Sequence, residues 1–112
     1  MILNKNDYEE INELLDKLMT LEDDISKIEL KISREKFERR YGIDLSKVYT
    51  RFRIIRETIR LTLGGGLHTG GLSSVEAVKR KLRKEIESAE KILQMLKEEL
   101  ARVELGIEDA DI

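Results

Sequence analysis

Apolar residues recur early in the chain at Ile11, Leu14, Leu18, Leu21, Ile25, Ile28 and Ile32, with spacings that alternate three and four. That rhythm holds all of them on one side of an α-helix and gives a continuous seam about 33 Å long. Leu15 and Met19 lie beside the seam and widen it, which suits a helix with more than one neighbour. Asn4 is the expected N-cap, and Asp7 suits the positive end of the helix dipole. Glu13–Lys17 and Asp23–Lys27 have the favourable i,i+4 orientation.

After Ile32 the phase fails, because its next positions are Glu35, Arg39 and Gly42. A second stripe follows at Tyr41, Leu45, Val48, Phe52, Ile55, Ile59 and Thr62. Gly42 is placed as a left-handed C-cap after a basic last turn, and Asp44 as the cap of the next helix. A third stripe runs Val75, Lys79, Leu82, Ile86, Ala89, Leu93, Leu96, Leu100 and Val103, with Val78 and Ile92 beside it. Gly106 stops it, and the residues after Gly106 read as an acidic tail. Between the second and third stripes lies a glycine-rich turn at 64–72, followed by Ser73-Ser74-Val75-Glu76, which has the form of a capping box.

These patterns predict an all-α fold and one domain over residues 1–112, with helices at about 5–41, 45–63 and 74–105. The expected architecture is an antiparallel, coiled-coil-like three-helix bundle with two long helices and a shorter middle one. Its competitor is a long two-helix hairpin in which residues up to 63 form one bent rod. In the bundle, the first and third helices run parallel. The acidic start of the first then lies near the basic start of the third, and the acidic end of the third near residues 34–40.

Composition narrows the class. Charged residues make up 39% of the chain and aromatics 4%, with no proline or tryptophan, a profile of long helices. The abundance of Glu, Lys, Arg and Ile with few amides fits a thermophilic source. There is no cysteine, so disulfides and thiolate metal sites are excluded. No apolar run approaches the roughly 18 residues that span a bilayer, and the first residues do not open a signal peptide. A cytoplasmic protein without a membrane partner is expected. The net charge of −2 conceals an alternation: −5 over residues 1–32, +5 over 33–63, +4 over 64–84 and −6 over 85–112.

Candidate chemistry is sparse. The glycine turn has no Gly-Lys-Ser/Thr ending and no strand before it, so it is not a P-loop. His68 is the one histidine, which leaves zinc and di-iron sites without ligands and general acid–base chemistry without a positioned partner. No catalytic residue, metal or cofactor is expected. Tyr49, Arg53, Arg56 and Arg60 share one helix face, and Lys79, Arg80 and Arg83 add charge downstream. Such a set suits phosphate groups of nucleic acid, or acidic partners including glutamates of the same chain.

The sequence therefore points to a non-catalytic helical interaction protein, an adaptor or assembly subunit. It is expected to be a homodimer joined through Ile11, Leu14, Leu15, Leu18, Leu21, Ile25, Ile28 and Ile32. The alternative is a nucleic-acid-binding accessory protein that uses the basic middle helix and the start of the third.

Overall fold

The computed structural model describes residues 4–63 and 74–106. Over these residues the protein is all-α: α1 (Lys5–Glu29), α2 (Arg34–Tyr41), α3 (Leu45–Leu63) and α4 (Val75–Leu105). The glycine-rich turn with His68, and the acidic tail, lie outside the described residues.

Local chemistry accounts for most helix ends. The Asn4 side chain accepts a hydrogen bond from the Asp7 amide at 2.8 Å, and Ser74 accepts from Ala77 at 3.1 Å. The Asp44 carboxylate accepts from the Ser46 amide at 2.9 Å at the start of α3. Gly42 and Gly106 close α2 and α4, each with φ of 71°, a left-handed conformation that glycine adopts without a Cβ clash.

The expected first helix over residues 5–41 is instead two helices separated by residues 30–33. The seam phase explains this. A helix continued past Ile32 would carry Glu35 and Arg39 into the core. The chain turns instead, leaving Leu30 84% exposed, and Ser33 caps a new helix by accepting from the Lys36 amide at 3.2 Å. That reversal buries Phe37 completely and stacks its ring against Tyr41, with centroids 4.8 Å apart.

Charged pairs fix the directions of the helices. Lys79 meets Asp7 and Glu10, while Lys17 lies 3.7 Å from Glu90, so α1 and α4 run parallel. Tyr49 bonds to Glu29 and Arg56 pairs with Glu22, so α3 descends against α1. Arg40 bonds to Glu99 and Arg51 to Glu85, so the α2–α3 limb also descends along α4. The acidic and basic segments meet where the alternating charge predicts.

The core contains Ile11, Leu18, Leu21 and Ile25 of α1, Phe37 of α2, Phe52 and Ile59 of α3, and Leu82, Ile86, Ala89 and Leu96 of α4. Leu14, Leu15, Ile28 and Ile32 are partly buried against it. The seam nominated for joining two copies is thus the inner face of a single chain. The packing is densest between α1 and α4, much sparser between α1 and α3 and between α2 and α4, and sparser still between α3 and α4.

Candidate functional site

The sparse α1–α3 packing leaves a cleft of about 910 Å³, lined by residues that include Asp16, Met19 and Asp23 of α1 and Tyr49, Thr50 and Arg53 of α3. On α1, Asp16, Met19 and Asp23 follow one another at three and four residues, on the side of the helix turned away from its core stripe. Met19 is 52% exposed. The Thr20 and Thr50 hydroxyls donate back to carbonyls of their own helices, those of Asp16 and Ser46, both at 3.0 Å. These threonines therefore have their hydroxyls engaged on their own helices.

The arginine face of α3 is divided among different partners. Among the residues lining the cleft, the Tyr49 hydroxyl donates to Glu29 at 2.6 Å. Arg34 pairs with the same carboxylate and stands 5.9 Å from the centroid of the Tyr49 ring. Burial, then the bond to Glu29, push the phenol pKa well above its ordinary value, so the group stays a donor. Arg56 pairs with Glu22 across the cleft floor. Arg60 stays exposed, 3.7 Å from Glu57 of its own helix. Arg53 is exposed and, among the described residues, makes no ion pair.

The downstream basic set is divided too. The Lys79 side chain is largely covered, with its ammonium 2.7 Å from Asp7, 2.6 Å from Glu10 and 3.8 Å from Glu76. It is thus not placed as a phosphate contact. Arg83 lies 3.1 Å from Glu10. Arg80 is exposed and makes no ion pair among the described residues. Of the seven nominated residues, Arg53, Arg60 and Arg80 meet no carboxylate of another helix among the described residues.

The bond from Lys79, reinforced by charge from Lys79 and Arg83, holds the Glu10 carboxyl below the usual glutamate range. The bonds to Asp7 and then Glu10 hold Lys79 above the usual lysine range. A lowered carboxylate stabilises the fold above the unfolded glutamate value, and that contribution is lost as pH falls through the lowered folded value. The raised lysine contributes below the unfolded lysine value and is lost only at strongly alkaline pH. The thermal midpoint at low salt should therefore fall between about pH 5 and pH 3. The Lys79→Met chain should fall less steeply over the same range, because Glu10 has lost its main partner. Equal slopes for the two chains would remove Lys79 as the cause.

Two further clusters were not evident from the sequence. Glu99 is fully buried, with one oxygen accepting from Arg40 at 2.8 Å and the other, Oε2, without a hydrogen-bond partner. Glu85, also buried, accepts from Arg51, which bonds in addition to Ser88 at 3.0 Å. Glu85, Ile92 and Glu99 recur every seven residues of α4. That recurrence beside an apolar stripe was the available signal. Among the described residues no three His, Cys, Asp or Glu side chains form a metal site, and no helix is long and apolar enough to cross a membrane. The chain matches no known family model, no curated protein and no solved structure.

Proposed function

We propose that this protein is a non-catalytic helical interaction protein, an adaptor or assembly subunit, that associates through the face formed by α1 and α3. Its fold is read as an antiparallel three-helix bundle whose descending limb is split into α2 and α3. The observation that carries the reading is the contrast between the two long interfaces of α1. Its apolar seam is used against its own chain. The α1–α3 side instead keeps an open cleft with Met19, 52% exposed, among the charged residues that line it. Exposed apolar side chains rimmed by charge mark interaction surfaces.

Nucleic acid binding has less support. Tyr49, Arg56, Lys79 and Arg83 are each engaged by α1 carboxylates, so phosphate contacts would require those pairs to break. Light scattering of the native chain at tens of micromolar tests the reading. The expected result is a mass near twice the 13.0 kDa of one chain. A single-chain mass at that concentration overturns it.

A further inference from the structure

We propose that the occupant of the α1–α3 face is a second copy of the chain, related by a two-fold axis parallel to the helices, so that α1 of each copy lies against α3 of the other. The proposal rests on the reading that this face is where the protein associates. It is carried by the charges on the two lips of the cleft.

On α1 the outward residues Asp16 and Asp23 flank Met19, and all three lie within an arc of about 60° at 100° per residue. On α3 Arg53 lines the cleft, and the exposed Arg60, two turns further on, continues the same edge beyond it with Glu57 between them. One lip is acidic and the other mainly basic. A dimer that closes on itself presents the same patch from both copies. Two such arrangements bring this face against itself. An axis running across the helices sets α1 on α1 and α3 on α3, opposing carboxylates to carboxylates and guanidinium groups to guanidinium groups. An axis running along the helices sets each acidic lip on a basic one. Like charges in direct opposition are strongly disfavoured, so charge selects the second.

Register supports the same choice. The Tyr49–Glu29 and Arg56–Glu22 contacts place Arg53 close to the level of Asp23, and Arg60 close to the level of Asp16, along the bundle. Rotation about an axis parallel to the helices changes no level. Arg53 therefore meets Asp23 of the other copy, and Arg60 meets Asp16, each twice per dimer. Neighbouring helices α1 and α3 then alternate in direction around a four-helix arrangement. Met19 of each copy comes level with the Glu57–Arg60 turn of the other, beside the aliphatic stem of Arg60. Asp23 already has Lys27 at 3.2 Å and Arg60 has Glu57 at 3.7 Å. Both are exposed pairs within one helix and contribute little, so they do not hold these groups from a partner.

Reciprocal charge reversal tests the arrangement. Arg53→Glu and Asp23→Arg each turn two attractions into repulsions, so each variant alone should show a dissociation constant raised roughly tenfold or more. Both positions are exposed, and an unchanged circular dichroism spectrum with a single cooperative melting transition would verify that each variant folds, its midpoint being free to fall with the loss of the dimer. Mixing the two variants restores both pairs, and only in the mixed dimer. Native mass spectrometry should then show the mixed species well above its random proportion. A random mixture, or variants that associate as tightly as the native chain, overturns the two-fold arrangement while self-association stands. A native chain that stays monomeric overturns both.

Discussion

Replacing Arg40 by alanine should destabilise the protein by about 3–5 kcal/mol, because it strands the Glu99 carboxylate in the core without its partner. Glu99 is fully buried and the Arg40 side chain only 13% exposed, so neither charge has ready access to water. One Glu99 oxygen already lacks a hydrogen-bond partner, and loss of Arg40 removes the bond at 2.8 Å to the other. A loss of that size is a large share of the roughly 5–15 kcal/mol that holds an ordinary domain together. The double replacement Arg40→Met with Glu99→Leu should behave differently. It removes both charges and substitutes apolar volume, so it should come out near neutral or stabilising. Urea denaturation of the native chain, Arg40→Met, Glu99→Leu and the double variant measures the coupling. A loss below about 1 kcal/mol for Arg40→Ala would mean that water reaches Glu99.

Phe37→Ala should rank with it, at about 3–5 kcal/mol for a fully buried aromatic side chain. Phe37 is the one buried residue of α2, and a helix of eight residues is well short of the roughly 12–15 needed to persist alone in water. Its truncation should therefore release the whole of α2 as well as lower the global midpoint. Hydrogen exchange separates the two effects. The amides of α2 should lose protection by far more than those in the middle of α4. Retained protection in α2 would place its anchor elsewhere, in the cap at Ser33 or the Arg40–Glu99 bond.

Legibility from the sequence followed the range of the interaction. The seam of α1, the caps at Asn4, Asp44, Gly42 and Gly106, and the shared face of Tyr49, Arg53, Arg56 and Arg60 depend on residues a few positions apart. All of these appear in the fold. The break at residues 30–33 had a local signal as well, the phase failure after Ile32. That failure was assigned to Gly42 because Ser33 stands in a polar run where a capping serine does not stand out. Glu85 and Glu99 were illegible for another reason. A glutamate on an apolar face is tolerable only when an arginine arrives from a distant segment, and helical spacing does not reveal Arg51 or Arg40 as that arginine. The use of the α1 seam shows the same limit, since burial within one chain and burial between two chains require the same pattern.

The parallel pairing of α1 with α4 has a consequence for synthesis. Asp7 and Lys79 are 72 positions apart in the chain, so the seam of α1 gains its main partner only after α2 and α3 have been made. At ribosomal rates of about 5–20 residues per second, the emerging α1 waits roughly 4–15 s for α4. During that interval Ile11, Leu18, Leu21 and Ile25 are without the surface that finally covers them, and neighbouring nascent chains offer the same seam. Any chaperone that attends this protein should thus engage the seam of α1 and be displaced by α4.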